Sequence, residues 1–270
     1  ADESGYLECC FHQSLYFFAA KITYFSKKVV LLQTNKQNCM NNQRIIFWLI
    51  ALLSILVLVP FLGESLFYSK GEPREAIVAV SMLQSGNWIL PVNYGTDIAF
   101  KPPFLYWCIA AVSWLSGEVS EFTTRFPSAV ACIGMLLFFF HFVRKRLGQE
   151  LAVLTTLLLL TSFEVHRAAV AGRVDMVQVA CSVVSLCLFY EWDEQGRQRF
   201  PWVAIGCMAC ATLTKGPVGA IFPCMVTGVY LLIQQRGFWK SFGWMCCFGF
   251  LAILPYCGWM FLAYQQGGQE

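Results

Sequence analysis

Two carboxylates and several cations stand in settings where they could do chemistry. Glu72 precedes Pro73, a residue suited to the first position of a helix, so its carboxylate falls in the positive field of a helix N-terminus, which favours the ionised form and a base-like role. A plain helix-start acid would look the same. Asp175 follows Arg173 just where a long apolar run begins. A charge costs roughly 2.5–3.5 kcal/mol at the centre of a membrane helix and less toward its end, so an acid there invites a functional explanation, beside the simpler one of loop residues solvated at a headgroup boundary. Lys101 precedes Pro102 and Pro103, and Lys215 precedes Gly216 and Pro217, so stiff backbone holds each ammonium at a defined place. Either could meet a phosphate, or snorkel to lipid headgroups.

Other chemistries lack their residues. The chain has no phosphate-cradling Gly-rich loop, no His-Glu-x-x-His and no Gly-x-Ser-x-Gly. Cys207 and Cys210 have the gap of a metal pair, yet no second pair or histidine nearby in sequence completes four ligands. Most of the 13 cysteines lie in apolar stretches and read as small packing residues.

The elements that must position these residues are set by composition. Of 270 residues, 57% are hydrophobic and only 13% charged, with a mean hydropathy of +0.57. Soluble proteins carry roughly a quarter charged residues, so this chain needs lipid to cover its apolar surface. The net charge of +3 gives no reason to expect a nucleic-acid partner. Apolar runs predict membrane helices over residues 44 to 62, 126 to 143, 150 to 166, 174 to 191, 200 to 214, 217 to 234 and 240 to 263. Residues 144 to 146, 197 with 199, and 236 with 240 are basic loops, which the positive-inside rule assigns to the cytoplasm together with Arg44. Residues 63 to 125 then begin and end outside, and residues 102 to 117 form a juxtamembrane or re-entrant helix rather than a span. A further amphipathic helix starts at Glu72 and continues through Ala76, Ile77, Val80 and Leu83. The same parity places Arg173, Asp175 and Lys215 on the outer face. The expected fold is therefore an all-α, polytopic transmembrane bundle with amphipathic helices in its first periplasmic loop. Residues 1 to 39 read as an upstream or non-native extension before Met40, residues 40 to 263 as the membrane domain, and 264 to 270 as a tail or truncation point.

Four blocks carry a resemblance: EPREAIVAVSMLQSGNWILPVNYGTDIAFKPPFLYW (72 to 107), VSEFTTRFPSAV (119 to 130), AGRVDMVQ (171 to 178) and LTKGPVG (213 to 219). Their order and spacing resemble the bacterial aminoarabinose transferase and protein mannosyltransferase-like group, polytopic GT-C glycosyltransferases that use polyprenyl-phosphate sugars. The likeness covers about residues 44 to 263, the N-terminal half of such an enzyme. It implies acids at Glu72 and Asp175 and a lysine at Lys101. The sequence departs from the pattern at Gly71, where many relatives carry Asp, and at Phe100, where aminoarabinose transferases carry Glu.

The resemblance implies an inverting transfer of a sugar from a polyprenyl-phosphate carrier to a lipid or glycan acceptor at the periplasmic face of a bacterial inner membrane. Such transfer needs a base near the acceptor hydroxyl and cations for the departing phosphate. Glu72 is expected to be the base and Asp175 to orient the acceptor or a cation, while Arg74, Lys101, Arg173 and Lys215 are the candidate phosphate contacts. A divalent cation is conceivable, but Glu72 and Asp175 alone offer few oxygen ligands and no metal site is assigned. The alternative is a non-catalytic membrane protein that binds or transports an isoprenoid lipid.

Overall fold

A computed structural model describes residues 44–93, 97–99 and 101–267; the extension expected over residues 1 to 39 and the departure at residue 100 lie outside them. The chain separates into two units, Ala1–Leu49 and Ile50–Glu270. Of the first, the described residues are the opening of helix α1 (Arg44–Leu58). The second holds the rest of α1 and every other element: α2 (Gly71–Ser85), β1 (Val92–Asn93), β2 (Asp97–Ile98), α3 (Phe104–Ser116), α4 (Glu121–Leu147), α5 (Gln149–Thr161), α6 (Phe163–Ala169), α7 (Val174–Glu194), α8 (Trp202–Lys215), α9 (Val218–Ile233) and α10 (Phe238–Gly267).

Local chemistry explains where the helices of the second unit begin and end. Ser120 and Thr123 form a reciprocal capping box that satisfies the first free amides of α4. Gly86 closes α2 in the left-handed region at φ 70°, returning its N–H to Met82 O at 3.0 Å. Between α2 and α3 the chain makes a two-residue antiparallel ladder with Val92 opposite Ile98 and Asn93 opposite Asp97, a small β element that the all-α expectation did not include. Apolar faces then pack in three clusters. One joins Leu58 and Leu62 to Leu136, Leu160 and Met176; a second joins Phe189 and Trp192 to Met208 and Phe248; a third joins Val78 and Met82 to Tyr106, Ile109 and Val174.

Helices α4 and α7 run parallel. Near their starts Ser128 Oγ donates to Arg173 O at 3.2 Å, and at their ends Arg146 bridges to Glu191 and Glu194. Asp193 there accepts from Arg197 at 3.0 Å and from Arg236 at 3.1 Å. Because α7 is 21 residues long, roughly 30 Å separates these two polar ends. The basic residues Arg146, Arg197 and Arg236 thus gather at one end and Asp175 and Lys215 at the other, as the parity of the apolar runs requires. Between the ends, exposed Leu154, Leu158, Val226, Val229, Phe250 and Leu254 present an apolar surface suited to lipid. The protein is a multi-pass membrane protein.

Not every expected span is a single long helix. Among the described residues α4, α7 and α10 are long and apolar enough to cross a membrane, and a fourth crossing results if α5 and α6 count as one span bent by 66°. α8 and α9, of 14 and 16 residues, rise only about 21–24 Å, short of the ~30 Å hydrocarbon layer, because Gly216 and Pro217 interrupt the run between them. α3, with 13 residues, falls short of the hydrocarbon layer in the same way.

The α8–α9 hairpin closes on a glycine. A Cβ on Gly219 would lie 2.3 Å from the carbonyl carbon of Ala211 and 2.4 Å from the amide nitrogen of Thr212, both backbone atoms with nowhere to retreat. Gly219→Ala should cost about 3 kcal/mol by forcing the helices apart. Thermal unfolding in detergent checks this: the variant melts well below the parent, whereas Gly206→Ala, where an added Cβ meets open space, does not.

Candidate active site

The site is built around an arginine. Arg125, in the second turn of α4, is 1% exposed and sends its donors to one carboxylate and three backbone carbonyls. Nε donates to Glu72 Oε1 at 2.9 Å, Nη1 to Leu62 O and Ser65 O at 2.8 Å each, and Nη2 to Leu66 O at 3.1 Å. The rings of Phe67 and Tyr68 lie 5.6 and 5.4 Å from its guanidinium carbon. The segment after α1 is thereby wrapped around the head of α4.

Glu72, fully buried, is held from the other side as well. Oε1 also accepts from Gly172 N at 3.0 Å, and Oε2 from Tyr68 N at 3.2 Å. Burial pushes its carboxyl up, but the hydrogen bonds and charge of Arg125 and the Gly172 and Tyr68 amides outweigh this and hold it below its ordinary value of 4.5. Gly172 has to be glycine here, since a Cβ would come within 2.7 Å of Thr124 Cγ2 and 3.2 Å of Thr124 O. The start of α7 is therefore pinned against α4 and α2 at once.

In front of this anchor stand the half-exposed groups. Asp175 Oδ1 accepts from Lys215 Nζ at 2.8 Å, and Arg173 Nε lies 3.4 Å from Oδ2. Their side chains are 35%, 45% and 44% exposed, so all three can reach a ligand. Lys101 lies within electrostatic range of Asp175 and bonds Glu75 Oε1, with Arg74 Nη2 3.8 Å from the same oxygen. The fold thus joins Arg173, Asp175 and Lys215 directly, brings Lys101 and Arg74 to their border, and sets Glu72 behind them. Glu72 and Asp175 do share one end of the bundle, because Gly172, which bonds Glu72, is three residues before Asp175. The base role expected of Glu72 meets a geometric objection, however: its oxygens face protein donors and none of its surface is open.

Two site residues escaped the sequence reading. Arg125 lay just outside the apolar run taken as a span, within the TTRFP block, and an arginine heading an apolar helix was the available signal. Glu75 follows Glu72 by three positions, the spacing that places both on one helix face. Among the described residues no three His, Cys, Asp or Glu side chains gather where a metal ion could sit, and Asp175 already faces two cations, so these residues do not fit a divalent ion. Cys207 and Cys210 are free thiols.

The anchor predicts a pH dependence. A carboxylate whose folded value lies below its unfolded one contributes stability above the unfolded value and loses it as pH falls through the folded value. The melting temperature of the parent should therefore drop as pH is lowered below about 4.5, while Glu72→Gln melts lower at pH 7 and lacks that part of the acid limb. Arg125→Ala, which strands a buried carboxylate, should cost roughly 3–5 kcal/mol. Melting curves between pH 3 and 7 decide the matter, and parallel curves for parent and Glu72→Gln would refute the anchor.

Comparison with known proteins shows a family, relatives and a shared fold. The family model described as dolichyl-phosphate-mannose-protein mannosyltransferase matches residues 100–259. An undecaprenyl phosphate-alpha-4-amino-4-deoxy-L-arabinose arabinosyl transferase of Edwardsiella ictaluri is 30% identical over 214 residues, covering 77% of this chain and 37% of that protein. Crystal structures of ArnT from Cupriavidus metallidurans share the fold: the form bound to undecaprenyl phosphate superposes with a TM-score of 0.71 at 23% identity over 84% of this chain and 42% of that one, and the apo form with 0.69 at 22%. The chain spans less than half the length of these relatives. With its helical membrane fold and a family match over more than half its length, the chain belongs to the dolichyl-phosphate-mannose-protein mannosyltransferase family.

Proposed function

We propose that this chain forms the membrane half of a glycosyltransferase that moves a sugar from a polyprenyl-phosphate carrier to the hydroxyl of a lipid or glycan acceptor, with inversion. The carrying observation is the half-exposed Arg173, Asp175 and Lys215 group with Lys101 at its border, one acid among several cations at one end of a membrane bundle. The name of the Edwardsiella relative and the undecaprenyl phosphate in the Cupriavidus structure support this chemistry. Arg146, Arg197 and Arg236 at the opposite end support a periplasmic position for the site under the positive-inside rule.

The residues divide the work by charge. Arg173, Lys215 and Lys101, with Arg74 beside them, bind the carrier phosphate and stabilise the negative charge it gains as the sugar leaves. Asp175 is the accessible acid and takes over the base role. In the resting site Lys215 and Arg173 occupy its oxygens; once the phosphate draws them away, its carboxylate is open to the acceptor hydroxyl. The acceptor oxygen then forms its bond to the anomeric carbon as its proton passes to Asp175, and the bond from that carbon to the phosphate oxygen breaks with its electron pair going to the phosphate. Glu72 supports the reaction from behind by fixing α2 and the start of α7.

One observation favours the second reading, a binder or carrier of isoprenoid phosphate: with Glu72 enclosed, Asp175 alone among the described acids pairs with Arg173 and Lys215. Asp175→Asn separates the two readings. A transferase should lose roughly 10²–10⁴ in rate while retaining the carrier, because a base acts on the rate and not on ground-state affinity. Lys215→Ala should weaken carrier binding itself. Sugar-transfer assays beside binding of undecaprenyl phosphate in nanodiscs read both quantities. Full turnover by Asp175→Asn would remove Asp175 as base, and no turnover by the parent with intact binding would leave the binder.

A further inference from the structure

Glu75 is a buried acid to which the chemistry above gives no task. It lies one helical turn beyond Glu72 on α2, and its side chain is 0% exposed. Oε1 holds the Lys101 ammonium, whereas Oε2 is buried and accepts no hydrogen bond. Tyr106 of α3, itself 1% exposed, brings its hydroxyl up beside the same carboxylate. Enclosing a carboxylate with one oxygen unsatisfied is unfavourable, and an uncharged side chain of similar shape would avoid the penalty. Packing therefore gives no reason for an acid at this position. Its charge does.

The layout shows what the charge acts on. Lys101, its side chain 24% exposed, sets its ammonium against Glu75 and lies within electrostatic range of Asp175. Arg173 and Lys215 both lean on Asp175, so that acid is shared already. Arg74 of α2 adds a further cation 3.8 Å from Glu75. Among the described residues, Glu75 and Arg74 from α2, Asp175 from α7 and, beside Glu75, the Tyr106 hydroxyl of α3 thus surround Lys101. Without Glu75, Lys101 would sit among cations with a fraction of one carboxylate, and both its position and its charge would be less well defined.

We propose that Glu75 is a positioning residue of the phosphate site: its enclosed carboxylate holds the Lys101 ammonium in place and supplies its counter-charge, so that a dedicated cation meets the carrier phosphate already aimed. The proposal rests on the reading of Lys101 as a phosphate contact. Glu72, the other enclosed acid of α2, is already paired with Arg125.

The test is the affinity of undecaprenyl phosphate for the chain in lipid nanodiscs, measured from pH 7.5 upward, where a phosphate monoester is doubly ionised. Glu75→Gln should bind about tenfold more weakly than the parent, with the loss deepening as pH rises because Lys101 more readily sheds its proton. Adding Lys101→Arg to that variant should flatten the profile, since a guanidinium stays charged. Glu75→Asp keeps the charge but withdraws it, so it should lower affinity without steepening the profile, and it serves as the test if the Gln variant fails to insert. Parent-like affinity in Glu75→Gln or in Glu75→Asp, or a pH slope that Lys101→Arg leaves unchanged, would overturn the proposal. If Lys101→Ala binds like the parent, the phosphate reading of Lys101 fails and this inference falls with it, whereas weak binding by Lys101→Ala together with parent-like Glu75 variants overturns the inference alone.

Discussion

A guanidinium taken out of water must find acceptors for its donors, and the outer end of this bundle is organised by that requirement. Arg125 satisfies it with Glu72 and the carbonyls of Leu62, Ser65 and Leu66, which draws the segment after α1 over the head of α4. Glu72 has lone pairs to spare, and it uses them on the amides of Tyr68 and Gly172. Those bonds bring the start of α7 against α4, at a distance only a glycine permits. One ion pair thus fixes three chain segments that are 53 and 100 positions apart. Such a buried pair adds little net stability over an apolar replacement, but breaking it on one side is expensive, so the arrangement has few neighbouring alternatives.

Burial then sorts the charged groups by task. Arg125 and Glu72 are enclosed and mutually satisfied, and they serve as framework. Glu75 is enclosed but holds the more accessible Lys101. Asp175, Lys215 and Arg173 stand outermost, where solvent screens their attraction and a phosphate can compete for the cations. The graded series runs from fixed to exchangeable charge, so the enclosed pairs can keep the shape of this end while the outermost ion pairs exchange partners. At the far end of α7, Asp193 is nearly buried between Arg197 and Arg236 and the Tyr230 hydroxyl, so the charges there close the ends of helices against one another and leave the apolar length between the two poles to lipid.

Much of this was legible in the residue order. Apolar runs located the helices because backbone in lipid must satisfy its own hydrogen bonds, and the basic loops at residues 146, 197 and 236 fell at one end as their parity demanded. Lys215 and Asp175 were placed on one face by the same parity, and they touch. Other features left no trace in a hydropathy count. The bend at Ser162 between α5 and α6 and the shortness of α8 and α9 depend on where single residues interrupt an apolar run, and the β1–β2 ladder is too brief to leave an alternating pattern.

Which acid does what was decided only by the tertiary structure. Glu72 and Asp175 each begin a helix beside an arginine in sequence, so one-dimensional chemistry treats them alike; in space one is sealed by an arginine 53 positions away and the other is left half open. Glu75 stands next to Arg74 in sequence, yet α2 turns it inward against Lys101 and Tyr106. The residue order settled that the chain lies in lipid, how its helices alternate and which end carries the polar blocks, since these follow from transfer of local segments between water and hydrocarbon. Burial and pairing of individual charges followed from contacts between distant segments, because the free energy of an ionised side chain is set by what surrounds it rather than by what precedes it.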